Sequence, residues 1–333
     1  MAKNLEYVMN KKNLNYLLFF LFFLTFSCVS GNEDIKLIEK VSNTGITLSE
    51  KDFTDSGFKI NKNYDISELT NAISAVYGWK NIGEEEAEQI LEASFQIVPP
   101  RISVNCYVVR SAGKIAIIDT GSGDTMGPTL GQMPSFLELI NIKPKDIDSV
   151  LLTHMHPDHS NGLLDSKGNI FFENAEIIVS ERDVAHWHDD SAMAKANDSQ
   201  RERYFKEARR QIAPYMQRRK NALGEVVPGV HAVDLSGHTP GHTGYIIESG
   251  QHSLLIWGDI CHVPDIQIRK PEVTMVFDTD PEAAILARRR TFDMVSNDRV
   301  LVAGMHLHFP GFCYVTRENS SYHILPESWN FEI

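Results

Sequence analysis

The sequence has 333 residues, of which 42% are hydrophobic, and it carries a formal net charge of −12. This length is enough for one large domain, or two small ones, with a well-packed core. The negative charge disfavours broad binding to phosphate backbones, because proteins that bind nucleic acids usually carry a basic surface. We therefore expect no nucleic-acid partner.

The first 28 residues differ in kind from the rest of the chain. Two lysines precede the apolar run LLFFLFFLTF, and a serine and Cys28 follow it. A charged start, a short apolar core and a processing site are the parts of a secretory signal peptide. The run is shorter than the ~20 apolar residues that span a bilayer. We interpret residues 1–28 as a signal peptide whose translation starts at Met1 or Met9.

Cys28 indicates how the exported chain is processed. It resembles the lipidation site of a bacterial lipoprotein, although Thr25 stands where that pattern usually has Leu. Ordinary cleavage nearby is the alternative, so we expect a periplasmic protein or one anchored to the membrane only through a lipid on Cys28. The other cysteines, Cys106, Cys261 and Cys313, lie scattered in apolar stretches and predict buried thiols, not a disulfide framework.

The remaining chain is interpreted as a polar tether over residues 29–60 and one domain over residues 61–333. NCYVVRSAGKIAIIDTGSG predicts a β-hairpin, because two runs rich in Val and Ile flank turn residues 111–113. A helix is predicted at PSFLELINI, and strands are predicted at DSVLLT, AEIIVS, GVHAVDLS, TGYIIES, SLLIWGD and RVLVAG. Another helix should begin at Pro281, where Asp280 can cap the first turn.

Residues 181–222 change the character of the sequence. They are charged, and Tyr204, Ala208, Ile212 and Tyr215 recur at roughly helical spacing. We interpret them as a helical insertion that lies over one edge of the body. Strands followed by helices, repeated in two halves, indicate an α/β fold in which helices cover the sheets.

The motif LLTHMHPDHSNG places four metal-binding side chains within six positions behind an apolar strand. Residues two apart in an extended segment face the same way, so His154 and His156 can reach one ion. Pro157 turns the chain, and Asp158 and His159 then project toward a second position. Nitrogen and carboxylate donors at this density are typical of zinc or a similar transition-metal ion. The alternative is a solvated polar loop with accidental histidines.

Three later segments supply further donors. His238 lies in LSGHTPGHTGY, Asp259 in LLIWGDICHV and His306 in LVAGMHLHFPGF. Asp259 and His306 follow buried strands, and a lone buried carboxylate is costly unless it coordinates or pairs. Functional residues concentrate in such loops.

The set HxHxDH, then His, Asp and His, resembles the metallo-β-lactamase-fold hydrolase superfamily over most of the chain from about Cys106 to Phe312. The resemblance implies a four-layer αββα sandwich, with two divalent metal ions at one edge and the helical insertion between the second and third ligand motifs. It assigns the first ion to His154, His156 and His238, the second to Asp158, His159 and His306, and the bridging role to Asp259. Zinc is the expected metal, although iron, manganese or cobalt would fit the same donors.

The resemblance also implies roles for neighbouring residues. Asp119 in IDTG matches an aspartate that orients the ligand loop without touching metal. In GHTPGH the superfamily places its ligand at the first histidine, so His242 is interpreted as a hydrogen-bonding or core residue. At the last motif, the pattern HxxFPG favours His306 over His308.

Two metal ions of this kind predict hydrolysis. Cations ~3.5–4 Å apart hold a bridging water and lower its pKa, so that hydroxide is present near neutral pH. The ions also polarise the substrate's carbonyl or phosphoryl oxygen. Asp158 can orient the hydroxide and move a proton to the leaving group, so Asp158 and Asp259 are the expected catalytic residues.

Within the superfamily, the sequence is most similar to the branch that contains methyl parathion hydrolase and the N-acyl-homoserine lactonases. The helical insertion, WGDICHVPDIQIRKPEVTMVFDTDP and GMHLHFPGF carry this likeness. Too little chain follows His306 for the glutathione-binding domain of glyoxalase II, and the acidic charge disfavours the tRNA-processing ribonucleases. The likeness implies a small ester, lactone or phosphotriester as substrate. Many such lactonases have a tyrosine where this chain has His262.

An apolar substrate would need an apolar pocket. The candidate residues for its lining are His262, Trp187, Phe205, Phe309 and Phe312, and core packing is the alternative for each aromatic ring. Other functions also stay open at this point: a non-catalytic metal-bound binding protein, a β-lactamase-like hydrolase or a phosphodiester-cleaving enzyme. The sequence leaves the native substrate, the metal and the oligomeric state, including a homodimer, undecided.

Overall fold

The computed structural model describes residues 79–126, 130–308, 311–319 and 321–327. The predicted signal peptide, Cys28, the tether and Phe309 lie outside these residues. The helices are α1 Glu84–Ala93, α2 Met133–Leu139, α3 Pro157–Ser160, α4 Glu181–Trp187, α5 Asp190–Lys195, α6 Asp198–Gln200, α7 Glu207–Ile212, α8 Pro264–Gln267 and α9 Pro281–Asp298, with a π-helical turn Arg201–Lys206 and 3₁₀ turns Pro144–Asp146 and Ala213–Arg218. The strands are β1 Trp79–Lys80, β2 Tyr107–Ser111, β3 Lys114–Ile118, β4 Ser149–Leu151, β5 Glu176–Val179, β6 Arg219–Asn221, β7 Glu225–Val227, β8 Val230–Asp234, β9 Thr243–Ser249, β10 His252–Ile256, β11 Thr274–Met275, β12 Leu301–Ala303, β13 Phe312–Glu318 and β14 Ser321–Pro326.

Two large sheets pack face to face. One has the strand order β2-β3-β4-β5-β6 and the other β14-β13-β12-β10-β9-β8-β7. Side chains alternate between the faces of a strand, so Ile118 of β3 and Ile256 of β10 pack between the sheets. Ile117 of β3 packs instead against the helices, and Leu255 of β10 packs against α9. The layers are therefore helix, sheet, sheet and helix, which confirms the predicted αββα sandwich.

The helical segment between β5 and β6 is part of one of these layers. β5 and β6 are parallel, and parallel neighbours need a crossover connection. Trp187, Phe205, Ile212 and Tyr215 from this segment pack in the core on the outer face of the first sheet. The segment lies between His159 and His238, as predicted, next to the edge strand β6, and its apolar side covers the outer face of the first sheet.

Several local predictions are confirmed, and one part of the fold was missed. The first hairpin turns at Ala112 and Gly113, both with positive φ, and the Asp280 carboxylate accepts a hydrogen bond from the Ala283 N–H at the start of α9. The three described cysteines are buried and free. The sequence did not predict α1 or the hairpin of β13 and β14, which extends the second sheet beyond β12. No helix among the described residues is long and apolar enough to cross a membrane.

Candidate metal centre

The predicted donors gather because their strands end at one edge of the sandwich. β3 and β4 are parallel in the first sheet, and β10 and β12 are parallel in the second. The carboxyl ends of these strands lead into the loops that carry Asp119, His154, Asp259 and His306. His156 precedes α3, and Pro157 at the first position of this helix turns the chain toward the centre.

Three histidines bring ring nitrogens together. His154 Nε2 lies 3.0 Å from His156 Nδ1 and 3.2 Å from His238 Nε2, and His156 Nδ1 lies 2.9 Å from His238 Nε2. Burial, reinforced by neighbouring histidines, lowers the pKa of His154 and of His156 well below the ordinary value, so both rings are neutral. Lone pairs this close repel each other unless a proton or a cation lies between them. This group could therefore hold a metal ion.

A second group is formed by Asp158, His159 and His306. Asp158 Oδ2 lies 3.4 Å from His159 Nε2 and 3.5 Å from His306 Nε2. Burial would raise the pKa of Asp158, but the neighbouring His159 outweighs burial and holds this pKa below its ordinary value. The carboxylate is thus ionised and can act as a metal ligand or accept a proton. Its side chain is 20% exposed, so a substrate can reach it.

Asp259 lies between the two groups. Its Oδ2 atom faces five histidine Nε2 atoms, at 3.1 Å from His262 and His306, 3.2 Å from His159, 3.4 Å from His238 and 3.6 Å from His154. Within the described residues, Asp259 Oδ1 and His159 Nε2 are buried without a hydrogen-bond partner. Buried polar atoms without partners are rare in proteins and point to an ion or a ligand. The donor set therefore fits two divalent cations that share Asp259.

Hydrogen bonds behind the centre orient the histidine rings. In four of the histidines, the Nδ1 atom has a hydrogen-bond partner on the side away from the centre. These partners are Thr153 Oγ1 at 3.0 Å for His154, Asp119 Oδ2 at 2.8 Å for His159, Asp278 Oδ1 at 2.7 Å for His238, and the Ser103 carbonyl at 2.7 Å for His306. Such partners leave Nε2 free to bind a metal. His156 differs, because its Nδ1 atom faces the other histidines and its Nε2 atom is buried without a partner.

Asp119 links the ends of β3 and β4. Its carboxylate accepts hydrogen bonds from the N–H and the hydroxyl of Thr153, both at 2.7 Å, and contacts His159. Its backbone has φ +59°, a conformation that Asp tolerates better than most residues. The aspartate thus orients the ligand loop and does not itself face the centre.

His242 holds the backbone of Asp259. Its Nδ1–H donates to the Leu235 carbonyl at 3.0 Å, and its Nε2 accepts from the Asp259 N–H at 2.9 Å. Burial lowers the pKa of His242 to about 3, so the ring stays neutral and keeps this pattern. A Cβ atom on Gly258 would lie 2.4 Å from His242 Nε2, which explains the glycine before Asp259. His308, the competitor of His306, lies outside the cluster and pairs with Asp265 at 2.9 Å.

Sequence reasoning missed two buried aspartates behind the centre. Asp278 accepts from the Met275 N–H at 2.8 Å and contacts His238. Asp183 accepts from the Met155 N–H at 2.7 Å, the Gly241 N–H at 3.1 Å and the Trp187 indole N–H at 3.1 Å. The sequence offers no local signal that either carboxylate is buried.

We expect Asp278→Asn to lower the affinity for the metal at His238 by about 10- to 100-fold, as is typical for outer hydrogen-bond partners of metal ligands. The amide can place either its oxygen or its N–H₂ group toward His238 Nδ1, but it cannot supply the charge that favours the ligand form. Competition with a coloured chelator measures the change. The control is Asp280→Asn, which alters only the cap of α9, and equal affinities in both variants would contradict the role of Asp278.

The predicted pocket residues lie in different places. Trp187 is buried beneath His156, with 5.3 Å between the ring centroids. Phe205 packs on Trp187 in the core, which is the alternative that the sequence left open. Phe312 packs on Tyr107 at the core between the sheets. His262 does reach the centre, where it contacts Asp259.

Two aromatic side chains that sequence reasoning did not select lie beside the centre. The Tyr204 ring is 5.0 Å from the His156 ring, and the Phe277 ring is 4.9 Å from the His262 ring. Both are partly exposed. Phe277 also lies 6.0 Å from the His238 ring, measured between centroids, so both aromatic side chains neighbour the first donor group.

Curated relatives match the central part of the chain. N-acyl homoserine lactonase AiiA of Bacillus thuringiensis subsp. kurstaki is 26% identical over 223 residues, which span 60% of this chain and 80% of that protein. The uncharacterized protein YobT of Bacillus subtilis (strain 168) is 26% identical over 164 residues. That match spans 48% of this chain and less than two thirds of YobT, at 63% of its length.

Solved structures share the fold. AbOPH, described as a hydrolase in the beta lactamase superfamily, has a TM-score of 0.71 and 30% identity over 76% of this chain and 89% of that chain. AidC, described as a dizinc quorum-quenching lactonase, has a TM-score of 0.70 and 22% identity over 76% of this chain and 92% of that chain. The second likeness is one of fold alone.

The family model described as the metallo-beta-lactamase superfamily matches residues 99–318. This range runs from before β2 to the end of β13 and includes all of the metal-binding groups described above. The chain therefore belongs to the metallo-beta-lactamase superfamily and is a metal-dependent hydrolase.

Proposed function

We propose that the protein hydrolyses a small uncharged ester, lactone or phosphotriester at a centre of two divalent metal ions. The observation that carries the proposal is the position of Asp259 Oδ2 between the two donor groups. His154, His156 and His238 would hold one ion, Asp158, His159 and His306 the other, and Asp259 both. This division uses the donor groups whose atoms lie within 4.8 Å of one another.

The metal ions, when bound, would lower the pKa of a shared water and polarise the substrate's carbonyl or phosphoryl oxygen. Zinc suits this set of imidazole and carboxylate donors. The chain's own contribution is orientation and proton movement. Asp158 is ionised and partly exposed, so it can orient the attacking water and pass a proton toward the leaving oxygen.

The surroundings of the centre support an uncharged substrate. The chain carries a net charge of −12, and a negative overall field slows the approach of an anionic substrate. Tyr204 and Phe277 offer apolar surface beside the metal-binding groups. Among uncharged substrates, the lactonase relatives favour esters and lactones over phosphotriesters.

The location is proposed from sequence alone. We infer that residues 1–28 direct export and that Cys28 carries a lipid in the mature protein. The mass of the mature N-terminal peptide from the native host is the test. An unmodified chain that still begins at Met1 or Met9 would contradict both inferences.

The proposed activity is tested with purified protein reconstituted with zinc. We expect turnover of at least one member of a panel that contains acyl-homoserine lactones, aryl esters, a phosphotriester and a chromogenic β-lactam, and loss of that turnover after chelation.

His306 and His308, two positions apart, provide a matched pair of variants. His306→Ala should lose roughly 100-fold or more, because a ligand matters more than its outer partners, whereas His308→Ala should retain activity. A fully metal-loaded protein that is inert toward the whole panel would exclude the proposal.

A further inference from the structure

The π-helical turn Arg201–Lys206 determines which aromatic residue meets the centre. Such turns shift the helical phase and are frequent at functional sites. Phe205 packs on Trp187 and on His186 in the core, whereas Tyr204, one residue earlier, lies against His156 and is partly exposed. The helical layer thus presents a phenol ring to the first donor group.

The hydroxyl of Tyr204 differs from the other tyrosine hydroxyls near the core. Four of these donate to a fixed acceptor: Tyr107 to the Gly304 carbonyl at 2.8 Å, Tyr215 to Leu163 at 2.6 Å, Tyr245 to Leu152 at 2.8 Å and Tyr322 to Asp293 at 2.6 Å. Within the part of the chain that the structure describes, the Tyr204 hydroxyl has no hydrogen-bond partner. Because Tyr204 is partly exposed, its hydroxyl is accessible and is available to donate to a bound ligand.

We propose that the Tyr204 hydroxyl donates a hydrogen bond to the substrate oxygen on which negative charge develops during hydrolysis. The inference rests on the proposed function and adds a catalytic residue to it. No proton is transferred, since the phenol remains the donor throughout. A hydrogen bond that strengthens as charge develops lowers the barrier and affects binding of the ground state less.

Tyr204→Phe tests the proposal, because it removes only an oxygen that has no partner in the described structure. We expect kcat/KM to fall by about 10- to 100-fold, most of it in kcat, on the best substrate of the panel. Metal content and Tm should stay unchanged. Tyr215→Phe is the matched control from the same helical layer, since its hydroxyl is bonded to Leu163. It should lower Tm and leave kcat/KM of the metal-loaded folded enzyme within about twofold.

Binding of a product-like probe provides a readout that is independent of turnover. N-hexanoyl-L-homoserine, titrated calorimetrically into the zinc-loaded protein, should bind about tenfold more weakly to Tyr204→Phe, as expected for one lost hydrogen bond. Equal kcat/KM and equal affinity in wild type and variant would overturn the role of Tyr204 and leave the proposed function intact. Loss of metal in proportion to activity would also overturn it, because Tyr204 would then act through His156. A wild type with neither turnover nor binding would overturn the proposed function itself.

Discussion

Asp259→Ala should abolish turnover and leave the metal-free fold intact. Asp259 Oδ2 is the atom shared by the two donor groups, at 3.2 Å from His159 Nε2 and 3.4 Å from His238 Nε2. Without this carboxylate the first group has no anionic donor for a divalent cation, and the second group keeps only Asp158. We expect the rate on any good substrate to fall by roughly 1,000-fold or more, beyond the loss typical of a single electrostatic donor. Steady-state kinetics and elemental analysis of the same preparation measure the two losses.

The stability of this variant separates a functional from a structural role. Within the described residues Asp259 Oδ1 has no hydrogen-bond partner, and the backbone N–H of Asp259 is held by His242. Burial would raise the pKa of Asp259, but His159 and His306 outweigh burial and hold this pKa well below the ordinary value, so removing the carboxylate leaves buried histidines without their anionic partner. We therefore expect the metal-free variant to stay folded at the assay temperature but to unfold at a lower temperature than the metal-free wild type. Asp265→Ala, six residues along, is the control that should keep activity and metal. Substantial residual turnover, or full metal content in Asp259→Ala, would refute the proposed centre.

Asp183→Ala should produce the largest loss of stability. The carboxylate joins the two loops that carry the first donor group, because it accepts from the Met155 N–H and from the Gly241 N–H. It also accepts from the Trp187 indole. Each buried donor without an acceptor costs ~1–3 kcal/mol, so we expect the free energy of unfolding to fall by about 4 kcal/mol. Urea unfolding of the metal-free protein measures it.

Asp183→Asn should remove only part of this stability. An amide has one accepting oxygen, so it can serve Met155 and Trp187 or Gly241, but not both sides. We expect a smaller loss of about 2 kcal/mol together with weaker metal binding, since one ligand loop is released. Asp189→Ala provides the comparison, because this exposed aspartate caps α5 through Ser191 and should cost only about 1 kcal/mol. The coupling of the loops would be disproved if Asp183→Ala cost no more than Asp189→Ala.

Short-range patterns predicted sheets covered by helices and a cluster of metal donors, and the resemblance to the superfamily implied the four-layer sandwich and the division of the donors. Strand-length apolar runs indicated the strands, and each donor of the centre lies within a few residues of a strand end or in a glycine-rich turn. His154 and His156 are two apart, and this spacing predicted that they face the same way, as their ring nitrogens do at 3.0 Å from each other. The β13–β14 hairpin was missed although FCYVTRENSSYHILP alternates, since its role depends on pairing with β12.

The residues behind and beside the centre could not be predicted from short-range patterns in the sequence. Asp278 contacts His238 from 40 positions away, and Asp183 contacts Gly241 from 58, and nothing local marks either carboxylate as buried. Which of the two neighbouring rings, Tyr204 or Phe205, lies at the centre depends on a π-helical turn. A shift of one residue in the helix would place the other ring there. The sequence by itself therefore determined which residues can act as donors and which strands carry them, because residues close together in the chain define both. Only the tertiary structure decided which groups orient the donors, because those partners meet through space.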